Sequence, residues 1–132
     1  MKLLINKKKI AQNFRKEEQV LSSIGIDNWE AIMNLTDEYI SCLVKDKYCT
    51  YRNLRRLRCI ALFICELNAT QDEAALLMHS GISTIEALTN LNPQEIITKT
   101  GRFERMLDTD REPVLNLRKA KKLINKAKEK LE

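Results

Sequence analysis

One stretch of this chain is written twice, and that duplication constrains the fold more than any other feature. Residues 17–40 read EEQVLSSIGIDNWEAIMNLTDEYI, and residues 73–96 read EAALLMHSGISTIEALTNLNPQEI. At a constant offset of 56, Glu17 falls on Glu73, Leu21 on Leu77, Gly25 on Gly81 and Ile26 on Ile82. Glu30 falls on Glu86, Ala31 on Ala87, Leu35 on Leu91 and Ile40 on Ile96. Equal apolar spacing and equal turn residues favour the same local structure, so the chain is expected to build one helix–Gly-Ile–helix unit two times.

The punctuation around these stretches is that of helices. Gly25 and Gly81 suit the left-handed position that ends a helix, and Ile26 and Ile82 follow as apolar plugs that fold the chain back. Asp27 with Glu30, and Ser83 with Glu86, have the spacing of capping boxes, as do Thr70 with Glu73. Thr36 and Thr50 are further N-caps, and Asn92-Pro93 with Glu95 opens a helix with proline at its first position. Only three glycines and two prolines occur in 132 residues, which favours long helices over many strands and turns. The expected fold class is all-α, one compact helical domain made of two pseudo-repeated units around a shared core.

Between the repeats, a helix over about 51–66 carries the apolar stripe Leu54, Leu57, Ile60, Ala61 and Ile64. Arg52, Arg55 and Arg56 project from the opposite side, with Arg58 on a flank. Residues 98–113 read as a polar connection, and a last helix is expected from about 114 to the end. Its apolar positions are Leu117, Ala120, Leu123, Ile124, Ala127 and Leu131; its remaining surface is basic, with Arg118, Lys119, Lys122 and Lys126 among seven cations. Asn116-Leu117-Arg118-Lys119 echoes Asn53-Leu54-Arg55-Arg56 at an offset of 63, so each repeat closes with a basic helix. The chain divides into a basic N-terminal arm or helix (1–16), a first repeat (17–66) and a second repeat (67–132).

The net charge of +5 conceals an asymmetry. Residues 1–16 carry +6, residues 113–132 carry +5, and the stretch between them carries −6. A partner rich in negative charge is therefore expected at the ends and at the arginine helix, the one basic surface inside the acidic body. Four cysteines (Cys42, Cys49, Cys59, Cys65) lack any CxxC spacing, and Cys59 and Cys65 stand about 120° apart around their helix, which opposes convergence on a metal. Buried thiols in a reducing compartment, a bacterial cytoplasm or a plastid stroma, are expected. The opening MKLLINKKK has the wrong order for a secretory signal, and no run approaches the ~18 apolar residues of a membrane span.

Catalytic constellations are absent from the pattern. His79 is the only histidine and has no cysteine or orienting acid at a supporting spacing. Glu30 and Glu86 resemble paired carboxylates but are accounted for as capping-box partners. Trp29 reads as core or as a partner anchor, its repeat counterpart being Ile85. No phosphate loop, nucleophile elbow or metal signature is present. Neither an enzyme nor a cofactor nor a small-molecule substrate is expected.

The pattern Leu77, Gly81, Ile82, Glu86, Ala87, Leu88, Leu91 looks like the half of a helix-hairpin-helix motif that follows the hairpin. With RNLRRLRCIALFICELNAT, ALLMHSGISTIEALTNL and GRFERML, the tandem arrangement resembles a cyanobacterial and algal-plastid family of unknown function with helix-hairpin-helix-like units (DUF4332-like), over roughly residues 17–127. The resemblance implies a SAM/helix-hairpin-helix type of scaffold. A DNA-binding hairpin of that kind presents Gly-x-Gly, whose amides approach a phosphate closely. The corresponding position here, Leu67-Asn68-Ala69-Thr70, has no glycine and follows Glu66. Gly25 and Gly81 are structural turns instead. The expected function is noncatalytic nucleic-acid binding, DNA or RNA, through phosphate contacts from Arg52, Arg55, Arg56, Arg58, Arg118, Lys119, Lys122 and Lys126, without sequence reading. The alternative is a protein-interaction module, an adaptor or linker subunit in a larger cyanobacterial or plastid assembly, docking on an acidic partner.

Overall fold

Each Gly-Ile turn closes its helix in the same way. Gly25 (φ 84°) and Gly81 (φ 91°) hold the left-handed conformation. The Ile26 amide donates to Leu21 O at 2.9 Å and the Ile82 amide to Leu77 O at 3.0 Å; Gly25 and Gly81 donate one turn position later, to Ser22 O and Met78 O. These are the paired bonds of a Schellman motif, which satisfy carbonyls that a helix end otherwise leaves exposed.

The computed structural model describes residues 14–46, 49–106 and 113–132. Most of the N-terminal arm, including Lys7–Lys9, lies outside these residues, as do 47–48 of the linker and 107–112 of the connection before the last helix. Eight helices and no strand occur among the described residues: α1 (Arg15–Ser23), α2 (Trp29–Met33), α3 (Asp37–Asp46), α4 (Tyr51–Leu67), α5 (Gln71–His79), α6 (Ile85–Thr89), α7 (Pro93–Met106) and α8 (Leu117–Leu131). The bounds of α5 and α6 are those of α1 and α2 displaced by 56 residues, and α7 starts 56 residues after α3.

Helix α4 is the hub. It packs against α2, α3, α5 and α8, while α8 also covers α6 and α7. Its inner face supplies Leu54, Leu57, Ile60, Ala61 and Phe63, all buried, and these join Leu21, Ile32, Ile40, Leu77, Leu88 and Ile96 in one continuous core. Burying such side chains contributes about 1.5–3 kcal/mol each, so the two halves are stabilised by a common interior rather than by separate ones.

Most caps stand where the sequence puts them. Thr36 accepts from the Tyr39 amide and Thr50 from the Asn53 amide. Thr70 and Glu73 form the reciprocal box, as do Asn92 and Glu95. Two expected boxes are corrected by one residue. Asn28, not Asp27, caps α2 by accepting from the Ala31 amide at 2.8 Å, and Thr84, not Ser83, caps α6 by accepting from the Ala87 amide at 3.0 Å. Glu30 and Glu86 therefore sit in the first turn as acids facing the positive helix end, not as box partners. Asp27 and Asn28 both qualify as caps on propensity, as do Ser83 and Thr84; the Schellman turn upstream sets which one meets the amide.

The polar connection expected over 98–113 is also corrected: α7 stays helical through Met106. Its inward stripe is Ile96, Thr100 and Glu104, two of them polar, which hides the helical period. Thr100 is buried by donating to Ile96 O at 2.9 Å, and Glu104 by accepting from the Val114 amide at 3.3 Å. Helix α8 begins at Leu117, capped by Asn116, rather than near 114; Leu117 and Leu131, expected on its apolar face, are exposed at its two ends.

Candidate functional site

Opposite its core stripe, α4 shows a second face made of Arg52, Arg55, Arg56, Cys59 and Leu62, positions spaced three and four apart. This face is one wall of a groove of about 920 Å³. Met33 and Leu35, at the turn from α2 to α3, form a second wall, and Met78, Ser83 and Thr84, at the turn from α5 to α6, form a third. Both halves of the chain thus contribute to one concavity. Tyr51 and Arg58 complete it, and no carboxylate is among the described residues that line it.

The arginines differ in what they do. Arg52 and Arg55 are exposed, and Arg56 and Arg58 are half-buried. The Arg55 guanidinium lies over the Tyr51 ring, 5.7 Å from its centroid, within the range where a cation is attracted by the ring face. Arg58 is a brace: its Nη1 donates to Leu35 O at 2.9 Å and its Nη2 meets Asp37 Oδ1 at 2.7 Å. The hydrogen bond and charge of Arg58 hold the Asp37 carboxyl below the usual carboxylate range, helped by Arg55 and Tyr51. Arg58 thus fastens α4 to the start of α3.

Two further side chains near the groove are set for structure. Burial pushes the Cys59 thiol up to about 12, and its Sγ donates to Ser83 O at 3.5 Å, so it is protonated at neutral pH and spans two walls. His79 stacks on Phe103 of α7, ring centroids 5.4 Å apart and planes 2° from parallel. Burial, and then the charge of Arg56, hold its pKa below the ordinary histidine value. A protonated His79 beside Arg56 would place two cations together in a partly dry site.

The basic residues of α8 occupy a separate surface. Arg118, Lys119, Lys122 and Lys126 are exposed, and none of them lines the groove. Lys119 Nζ donates to Val114 O at 3.4 Å, and Lys126 lies 3.8 Å from Glu129. Lys130, 3.4 Å from Glu66, ties the end of α8 to the end of α4. Gly25 and Gly81 are turn formers remote in role from either surface. The turn Leu67–Thr70 is shaped by Asn68, which takes the left-handed conformation (φ 54°) that a glycine would otherwise supply.

Sequence reasoning found the arginines and missed the rest of the groove: Met33, Leu35, Leu62, Met78 and Thr84 come from α2, the turn after it, α4, α5 and the cap of α6, which only tertiary packing brings together. The available signal was Cys59 and Leu62, apolar residues that continue the arginine face of α4 instead of the core face. Among the described residues, no three His, Cys, Asp or Glu side chains are grouped to hold a metal, and no helix is long and apolar enough to cross a membrane. All four cysteines are thiols outside any disulfide, but their expected burial is corrected: Cys42 and Cys65 are exposed, and Cys49 and Cys59 are only half-buried.

No curated protein and no solved structure matches the chain. A family model described as a domain of unknown function, DUF4332, matches residues 11–130, which is nearly the whole chain, and the protein belongs to that family.

Proposed function

We propose that this protein is a noncatalytic nucleic-acid-binding protein, built from two pseudo-repeated helix-hairpin-helix-like units, that grips phosphates through α4 without reading sequence. The observation that carries the reading is the groove itself: Arg52, Arg55 and Arg56 on one face of α4, with no carboxylate among the described lining residues. Arg52 lies one helical turn, about 5.4 Å, from Arg55 and Arg56, an interval suited to consecutive phosphates. The matching Schellman turns and matching element bounds support the paired-unit architecture. The glycine-free Leu67–Thr70 turn argues that phosphates are met by helix side chains and not by hairpin amides. Thiols outside disulfides fit a reducing compartment, a bacterial cytoplasm or plastid stroma.

The test is salt-dependent binding of labelled oligonucleotides by fluorescence anisotropy. Counterion release makes affinity fall steeply with salt, with a logarithmic slope of about 0.7–0.9 per phosphate neutralised. Replacing Arg52 and Arg55 with alanine should lower that slope by about 1–2 and weaken all sequences alike. Absence of binding at low salt overturns the reading.

One observation favours a second reading. The exposed cations of α8 stand apart from the groove, and such a face suits an acidic protein partner, as in an adaptor subunit of a cyanobacterial or plastid assembly. Reversing Arg118, Lys122 and Lys126 to glutamate should abolish capture of that partner and spare oligonucleotide binding at the groove.

A further inference from the structure

We propose that the groove takes a single-stranded segment of nucleic acid, with its phosphates on the arginine rim and an unpaired base seated on the apolar floor. The inference rests on the phosphate-binding reading above and narrows it to one form of the polymer. A rim of cations alone would suit a duplex, which offers phosphates and sugars to a surface and keeps its bases stacked inside. This groove is more than a rim. Its floor is Met33, Leu35, Leu62 and Met78; Leu35 and Met78 are packed into the core behind it, while Met33 and Leu62 are half-buried and keep apolar surface open to the groove. A phosphate cannot be stabilised against such side chains, whereas the face of a splayed base removes them from water.

The dimensions and the edge groups agree with that occupant. About 920 Å³ exceeds what one nucleotide fills, so a base and its neighbours fit while the backbone follows α4. At the mouth, Tyr51 and the Arg55 guanidinium already form a cation–ring pair, and both are the kinds of planar group on which bases stack. Charge complementarity selects a polyanion; the apolar floor selects one with exposed planar bases.

The experiment uses the full chain and four probes of equal length at fixed low salt: oligo-dT, oligo-U, a duplex of mixed sequence, and an abasic DNA strand that keeps the phosphates. Intact single strands are expected to bind at least about tenfold more tightly than the duplex or the abasic strand. Leu62→Ala, checked for folding by circular dichroism, should weaken single-strand binding about threefold or more and leave the salt slope unchanged. Arg55→Ala should reduce the slope for every probe. The abasic comparison needs no variant, so it holds even where Leu62→Ala perturbs packing. Equal affinity for intact and abasic strands, or tighter binding of duplex, overturns this inference while leaving phosphate binding in place. Displacement of oligo-dT by poly-glutamate at equal charge also overturns it, because charge alone would then suffice. If none of the four probes binds, the phosphate-binding reading itself fails.

Discussion

Glu17 and Glu73 occupy the same place in the repeated stretch and do different work. Glu73 closes a capping box with Thr70 on its own helix. Glu17 is 2% exposed and reaches another helix, accepting from the Thr50 amide at 3.3 Å and from Asn53 Nδ2 at 3.4 Å. Its charge meets the positive end of α4, the helix that carries the arginines, and so ties α1 to the hub. Glu17→Ala would leave the Thr50 amide without this acceptor; we expect a loss of about 1–3 kcal/mol in urea unfolding, larger than for an exposed cap. His79 gives a second prediction at this scale. Its folded pKa is lowered, so the unfolded chain takes up the proton first. Stability is present in full above the unfolded histidine value near 6.5 and declines as pH falls from there toward the lower folded value. Because His79 is the only histidine, His79→Phe should flatten the dependence of Tm on pH between about 7.5 and 5.5.

At the level of the element, the three glycines separate into two kinds. A Cβ at Gly25 or Gly81 would meet nothing within 4 Å, so space does not demand glycine there; the positive φ does. Gly81→Ala should therefore destabilise by about 1–2 kcal/mol through backbone strain alone. Gly101 lies inside α7, without a positive φ, and a Cβ there would meet only the far end of Arg105 at 3.4 Å. Gly101→Ala should stabilise by about 0.5–1 kcal/mol, read as a rise in Tm. The opposite signs test the assignment of Gly81 as a turn and of residues 98–106 as helix. Local signals identified the first and not the second. A Schellman turn leaves a glycine in the sequence, whereas the buried Thr100 and Glu104 look like loop residues until their hydrogen-bond partners, Ile96 O and the Val114 amide, are in place.

At the level of the molecule, one helix serves two purposes. The inner face of α4 organises the core of both halves, and its outer face forms one wall of the groove, with the arginine rim and Leu62. A substitution on the outer face should therefore change binding with little effect on stability, and one on the inner face the reverse. Local sequence alone determined most of the helices and of their caps, the doubled Gly-Ile turns and the cationic face of α4, because each depends on residues within one or two turns of one another. Tertiary structure decided the role of Arg58, which is held by Asp37 and Leu35; the separation of the α8 cations from the groove; and the groove itself. Those depend on how α2, α4, α5 and α6 pack, and residues as distant as Met33 and Thr84 carry no mark in the sequence that they will face the same cavity. The repeated stretch shapes the scaffold; the closing of its two copies around α4 makes the site.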